Sequence, residues 1–353
     1  MNAPVRAATS VHALDFRDPG EVRRIEAFVA ENGGTLFHRP AWLKAVEAGT
    51  GQRAAGLVAE RMGTVTGWLP LTEVRSALFG KALVSSGFGV AGGILACGEE
   101  ATQALAEGAQ SYALRAGFAG IELRGGPVPE GWDSWSDKHC CFERALAADD
   151  EAELLAIPRK ARAEVRKGLG FGHRISVGRG SGDLAAHYAC YSASVRNLGT
   201  PVFPKRLFAA MLEAFPASSD VLTVWQGDKP LASVLSFYHD GAVLPFWGGG
   251  VFEARAARAN EVMYYELMLH ARRQGMTRFD FGRSKTGSGP FAFKKNWGFE
   301  PQRLTYTAWT APGSPPRNID PTDASYSRKI ELWKKLPLPV ANTLGPWIAR
   351  GLA

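Results

Sequence analysis

Residues 279–299 read FDFGRSKTGSGPFAFKKNWGF, and the reading of this stretch decides the fold. It opens as a strand in which Phe279 and Phe281 alternate with Asp280, then enters a loop holding Gly282, Gly287, Gly289 and Pro290. It closes on Lys294 and Lys295 set among Phe291, Phe293, Trp297 and Phe299. A surface lysine needs no aromatic frame, and a core needs no lysine. Two readings compete: a cation held in a dry functional cleft, or an aromatic core patch from which a lysine snorkels outward. Lys294 is read as the functional cation and Lys295 as the outward-pointing one. Asp280 points to the opposite face from its aromatic neighbours, where it pairs with an arginine or contacts an amine; pairing is the expectation.

Upstream of this stretch, one order of elements occurs twice. In the first half, RAAGLVAE and TVTGWLPLTEV form a hairpin turning near Met62 and Gly63, followed by the glycine-rich SSGFGVAGG. A helix over Glu99 to Ala116, capped by Gly117, leads into the strand AGIELRGG. In the second half, VLTVWQ, LASVLSFYHD and GAVLPFWGGG are strands joined by Gly-Asp and Asp-Gly turns. A helix from an Asn260 cap to Gly275 then leads into TRFDFGRS. The spacing from Gly93 to Gly117 and Glu122 matches that from Gly250 to Gly275 and Asp280 to within one residue. Either two common α/β segments coincide, or a unit has been duplicated, and agreement of both order and spacing favours duplication.

The remaining composition narrows the class. A length of 353 residues suits about two domains. Four cysteines (Cys97, Cys140, Cys141, Cys190) show no metal spacing, and neither do the seven histidines, so no metal is expected. No Ser/His/Asp arrangement is recognisable, so no covalent enzyme intermediate is expected. Scarce cysteines favour a reducing cytoplasm, and neither a signal-peptide pattern nor a long apolar span is found. The net charge of +7 favours anionic partners such as phosphates, RNA or acidic lipid.

The repeated unit resembles the core of the GNAT acyltransferase fold, and FAFKKNWGF is similar to the helix that ends many GNAT domains. The usual glycine-containing pyrophosphate loop is missing; EARAARAN stands in its place. Tandem GNAT-like halves without that loop resemble the Fem family of peptide-bridge aminoacyltransferases, over about Thr35 to Leu304. The most specific local match is Phe293, Lys294, Trp297 and Gly298. TLFHRPAWLKAVE, PRKARAEVRKG, NLGTPVFPKRLF, PFWGGG and LPLPVANTLGP further resemble Fem-like proteins of PEP-CTERM and exopolysaccharide systems. Fem enzymes that use aminoacyl-tRNA often carry a coiled-coil arm, and no heptad run occurs here. The implied fold is α/β (α+β), with two tandem GNAT-like domains of mixed, mainly antiparallel sheets. Expected boundaries are 1–148 and 149–310, with 311–353 a Pro-rich linker and basic amphipathic segment.

The resemblance implies attack of an acceptor amine on an activated acyl carbonyl, with Lys294 facing the developing oxyanion and Phe293 beside it. The donor would be aminoacyl-tRNA or acyl-CoA, with no tightly bound cofactor; the acceptor would be an amine on a cell-envelope or exopolysaccharide precursor. The alternatives are an acyl-CoA-dependent acetyltransferase of a small molecule and a non-catalytic binder of nucleotide sugar or nucleic acid. Partners implied are a phosphate-bearing donor or nucleotide-sugar acceptor, and tRNA.

Further candidates follow. Arg159, Arg162 and Arg166, with Lys167 beside them, fall on one face of a helix that can start at Pro158, and guanidinium forks there suit phosphate oxygens. Such a run can equally be a solvated face. The resemblance places Arg162 where Fem enzymes bind a diphosphate. Asn197, Thr200 and Lys205 lie in a proline-stiffened loop that lines an acceptor pocket or merely connects helices. Trp247 and Gly249 of PFWGGG, Trp297, and the post-strand residues Arg283, Ser284 and Lys285 complete the expected cleft. The tail, with Trp333, Leu336 and Trp347 among Arg328, Lys329, Lys334, Lys335 and Arg350, lies on an anionic membrane at the cytoplasmic face, docks on its own domain, or stays mobile.

Overall fold

Two mixed sheets organise the computed structural model, which describes residues 8–315 and 324–352. In the first half, β1 (Ser10–Ala13), α1 (Pro19–Glu31) and α2 (Pro40–Thr50) precede β2 (Arg53–Arg61), β3 (Thr64–Ser76), β4 (Gly80–Ser85) and β5 (Leu95–Ala96). Then come α3 (Glu99–Ala116), β6 (Gly120–Arg124) and β7 (Asp133–Trp135). α1 starts where the Asp18 carboxylate accepts from the amides of Gly20 and Glu21, with Pro19 in its first turn. The β2–β3 hairpin turns at Met62 and Gly63, with φ of 51° and 77°, the type I′ geometry that matches strand twist. Leu57, Leu71, Leu83, Leu105 and Ile121 pack between the sheet and α3, while Phe28, Leu43, Val58 and Trp68 form a separate apolar cluster.

In the second half, β8 (His139–Ala145), α4 (Asp150–Ala156), α5 (Arg159–Leu169), β9 (Arg174–Gly178), α6 (Ser181–Leu198) and α7 (Lys205–Ala214) come first. The meander β10 (Ser219–Gln226), β11 (Lys229–His239) and β12 (Ala242–Gly250) leads to α8 (Ala259–Arg273) and β13 (Arg278–Asp280). There follow β14 (Ser284–Lys285), α9 (Gly289–Asn296), β15 (Pro301–Arg303), β16 (Tyr306–Thr310), α10 (Ala324–Lys334) and α11 (Leu338–Ala349).

α8 differs from expectation at its start. Its cap is Arg258, in the left-handed region at φ 52°, and Asn260 lies inside the first turn. The reason is packing: the Asn260 Oδ1 fills the space beside Gly250, 2.7 Å from where a Cβ would stand. A Cβ on Gly249 would stand 2.5 Å from Ser194 Cβ of α6. The glycine run at the end of β12 therefore lets helices approach closely.

The first sheet runs β1-β2-β3-β4-β6-β16-β7, with β5 on β3, and the second runs β14-β8-β13-β12-β11-β10-β9, with β15 on β8. Four strands in each are successively antiparallel: β1 to β4, and β9 to β12. A helix then crosses over to a parallel partner, α3 to β6 and α8 to β13. Beyond that lies an antiparallel strand from elsewhere in the chain: β16 beside β6, and β8 beside β13. β16 thus reaches back to the first half's sheet, while β8, the first strand of the second half, pairs with that half's last crossover strand. One unit accordingly runs to Ser136 and resumes at Leu304, and the other takes Asp137–Arg303 with the terminal helices.

The terminal helices pack on α6 of their own unit. Arg196 donates to the Lys334 carbonyl at 3.1 Å, Asn342 donates to Ser192 at 3.4 Å, and Ala341 and Gly345 are buried. Val340, Leu344 and Trp347 stay exposed. Residues 316–323 of the expected linker, and the side chain of Arg328, lie outside the described residues. Among the described residues, no helix is long and apolar enough to cross a membrane.

Candidate active site

The glycine loop that follows β4 is closed by its own unit. In the first half, loop carbonyls are taken up by side chains of the same unit. Trp42 Nε1 donates to Gly87 at 3.1 Å, Arg124 to Gly89 at 2.8 Å and Tyr306 to Val90 at 2.9 Å. The Gly93 amide bonds the Arg124 carbonyl at 2.9 Å, drawing the chain after β4 against the end of β6. In the second half, β13 ends at Asp280 and the chain turns at Gly282, so the titratable groups of the opening stretch collect here.

α9 is set by its caps: Ser288 Oγ accepts from the Phe291 amide at 3.3 Å, Pro290 sits in the first turn, and Gly298 follows at φ 83°. This register turns Lys294 inward, and it is buried. Its Nζ donates to the carbonyls of Gly282 at 3.0 Å and Arg283 at 3.1 Å. It also stands 5.4 Å from the ring centres of both Phe142 on β8 and Phe281. Tyr264 of α8 packs on Phe281 at 4.7 Å, Phe293 at 5.8 Å and Trp297 at 6.2 Å. The frame around the lysine is therefore drawn from three separate segments.

Asp280 is half-buried, and its Oδ1 accepts from the Gly282 amide at 2.9 Å. Burial pushes its carboxyl up to about 6, helped by Glu143, which faces it across β8, and opposed by that amide and the Lys294 charge. Burial likewise pushes the Lys294 ammonium down to about 8, with Asp280 pulling the other way. The Cys141 thiol is pushed up to about 11, first by burial and then by Asp280. The expected arginine partner of Asp280 is engaged elsewhere: Arg278 pairs with Glu143 at 3.2 Å and Asp240 at 3.0 Å. Asp280 instead shares its surroundings with Lys294.

Of the expected residues, Phe293, Lys294, Trp297, Arg283, Ser284 and Lys285 lie together on α9 and the turn before it. Ser284 keeps a buried hydroxyl without a partner. Lys295 is exposed. The arginine helix adjoins this cluster, because Gly298 packs against Pro158, the residue that starts α5, with 3.1 Å from a built Cβ to Pro158 Cδ. Arg159, Arg166 and Lys167 are exposed, whereas Arg162 donates to the Leu155 carbonyl at 3.0 Å, tying α5 to α4. Asn197 and Thr200 are exposed at the end of α6, and Lys205 opens α7.

Two expected cleft residues have packing roles. Trp247 is buried against Phe208 of α7 at 5.1 Å and Phe246 at 4.7 Å, on the sheet face opposite α8, and Gly249 meets α6. Sequence reasoning left out Phe142 and Tyr264 and gave Asp280 to an arginine. The alternation around Asp280 was visible, but its surroundings depend on β8, which lies more than a hundred residues away.

The sequence matches the acetyltransferase (GNAT) domain family over residues 158–295, the span from the arginine helix to the buried lysine. This match supports an acyltransferase. No curated protein matches the chain in sequence. In structure, the chain is similar to FemX, with a TM-score of 0.64 at 16% identity over 84% of this chain and 96% of that one. It is also similar to a tandem GNAT protein from the clavulanic acid biosynthesis pathway, at 0.59 and 12% over 87% and 100%. L-PGS from Bacillus licheniformis follows at 0.53 and 14% over 90% and 98%. These likenesses show a tandem GNAT-like fold. In the acyltransferase domain the pyrophosphate-loop position is a short turn, with the amides of Ala254, Arg255, Ala257 and Arg258 bonded to carbonyls within it. Among the described residues no group of acidic, cysteine or histidine side chains is placed to hold a metal.

Proposed function

We propose that the acyltransferase domain moves an activated acyl or aminoacyl group onto an amine of a cell-envelope or exopolysaccharide precursor, as in Fem-type enzymes. The observation that carries this reading is the buried Lys294 ammonium beside the Asp280 carboxylate. A lysine has three donors, two of which meet backbone carbonyls here; the third remains for an oxyanion. In a water-poor aromatic frame such a donor acts far more strongly than in solvent. Asp280 is the candidate base. As the acceptor nitrogen bonds to the carbonyl carbon, Asp280 takes a proton from it, and collapse of the tetrahedral oxyanion breaks the bond to the ester oxygen or thioester sulfur of the donor, which leaves with the proton returned by Asp280.

The donor is aminoacyl-tRNA or acyl-CoA. The FemX-like architecture favours the first, while the family match to an acetyltransferase domain favours the second, with a small-molecule amine as acceptor. Exposed Arg159 and Arg166 suit the phosphates of donor or nucleotide-linked acceptor. The proposed place of action is the cytoplasmic face of the membrane, with Val340, Leu344 and Trp347 touching anionic lipid. Flotation with phosphatidylglycerol vesicles, but not with neutral ones, checks that contact. The function itself is tested by mass spectrometry of the molecules retained by the native protein, followed by transfer assays with the donor found. Retained RNA would select the first reading and retained CoA the second. An acceptor bound tightly without turnover on either donor would remove catalysis altogether.

A further inference from the structure

The aromatic frame around Lys294 has a second polar edge on α8, where Glu261 and Tyr264 stand three residues apart on one helix face. Tyr264 presses its ring on Phe281, Phe293 and Trp297. Its hydroxyl points at bare backbone, since a Cβ built on Gly248 of β12 would stand 3.1 Å from Tyr264 Oη. Among the described residues, neither that hydroxyl nor the Glu261 carboxylate is bonded to another residue's side chain or backbone. Both side chains are half-buried, and their polar atoms keep surface open to solvent.

The surrounding charges leave the carboxylate without a counterion. Arg258, the cation that acts on it, turns its guanidinium to Glu164 and to the Arg255 carbonyl. Burial pushes the Glu261 carboxyl above the usual carboxylate range, opposed by its own amide and by Arg258, and helped by Glu164. Burial also pushes the Tyr264 phenol up to about 12, with Glu261 adding to it, so the two groups share one electrostatic environment. An acid in the first turn of α8 gains from the helix dipole, but that gain requires neither burial nor a free phenol beside it. A half-buried carboxylate without a counterion is what a bound cation would stabilise.

We propose that Glu261 and Tyr264 form a subsite for a substrate ammonium that does not itself react. The carboxylate and the phenol oxygen accept from the ammonium, and the Phe293 and Trp297 rings beside Tyr264 screen it from bulk water on one side. A carboxylate favours the protonated amine, which has no lone pair for attack, so the nitrogen held here is not the nucleophile. Two carriers have this chemistry: an aminoacyl donor through its α-ammonium, and a diamine acceptor through its second nitrogen. The inference rests on the acyl-transfer reading only in calling the carrier a substrate.

The test is calorimetry of the full chain with alaninamide, phenylalaninamide and cadaverine, against propionamide, hydrocinnamamide and pentanediol as their uncharged counterparts. At least one amine should bind with Kd in or below the millimolar range, and its counterpart at least about tenfold more weakly. Glu261→Gln should abolish that preference and leave the counterpart unaffected. Tyr264→Phe should reduce it about fivefold, the loss of one hydrogen bond, and decides alone if Glu261→Gln fails to fold. Selection of the amino-acid amides assigns the site to the donor, and selection of cadaverine assigns it to the acceptor. No heat from any amine at about 10 mM, equal binding of amine and counterpart, or a preference unchanged in folded Glu261→Gln would each overturn the proposal. None of these measurements requires turnover: amine selectivity lost in Glu261→Gln would stand even without acyl transfer, which the kinetics of Lys294→Met test separately.

Discussion

Lys294 and Asp280 are joined through a single residue. The Gly282 carbonyl accepts from Lys294 Nζ at 3.0 Å, and the Gly282 amide donates to Asp280 Oδ1 at 2.9 Å. The turn after β13 therefore fixes an acid and a base in one frame, each shifted toward neutrality by burial. Between about 6 and about 8, Asp280 is charged and can accept a proton, while Lys294 is charged and can face an oxyanion.

Turnover should accordingly follow a bell-shaped pH profile. Below about 6 Asp280 is protonated and cannot act as base; above about 8 Lys294 loses its charge. Asp280→Asn should lower turnover and abolish the acid limb. An acid limb retained in Asp280→Asn would assign the base elsewhere.

Lys294→Met should lower turnover by about 10²–10³-fold, the scale for one oxyanion donor, with a smaller change in apparent donor affinity. The frame will not be indifferent, because the Gly282 and Arg283 carbonyls lose their donor. Stability should fall by about 1–3 kcal/mol for each carbonyl left unsatisfied. Denaturant unfolding alongside kinetics separates the two losses. Lys295→Met, at an exposed position, should change both little, and Lys294→Arg should not restore turnover, because a planar fork does not fit a lysine cage. Near-normal turnover in folded Lys294→Met would reduce the cluster to packing.

On α5, exposed Arg159 and Arg166 are cleaner probes of phosphate binding than Arg162, which also ties α5 to α4. Arg159→Ala or Arg166→Ala should weaken binding of UDP or coenzyme A, whichever is the ligand, by about 1.5–3 kcal/mol, the range for a charged hydrogen bond. Thermal stability should change by less than about 0.5 kcal/mol. Arg162→Ala should cost stability as well. Unchanged affinity in all three variants would make this face a solvated surface.

Gly249→Ala should destabilise the domain by about 1–3 kcal/mol, because a new Cβ would press on Ser194 of α6. Ser194→Gly in the same chain should recover part of that loss, measured by denaturant titration. A neutral Gly249→Ala would mean that α6 can shift freely at this point.

The sequence by itself determined what neighbouring residues dictate. Turn residues placed the β2–β3 and β11–β12 hairpins, a glycine bounded α3, and repeated order and spacing revealed two like halves. Lys294 stood out because a charged residue inside an aromatic run conflicts with local pattern, and such conflicts are visible without coordinates. The Asn260 cap failed because a contact with Gly250 outweighed local capping preference. What only the tertiary structure decided is what depends on distant pairing. β16 joins the first half's sheet and β8 pairs with β13 across more than a hundred residues, and no periodicity records which edge a strand will choose. The β8 pairing brings Phe142, Cys141 and Glu143 around β13, and burial there turns Asp280 from an expected arginine partner into the companion of Lys294. Trp247, legible as an aromatic beside a glycine run, faces α7 because one strand's alternation states which residues share a face, not which helix covers it.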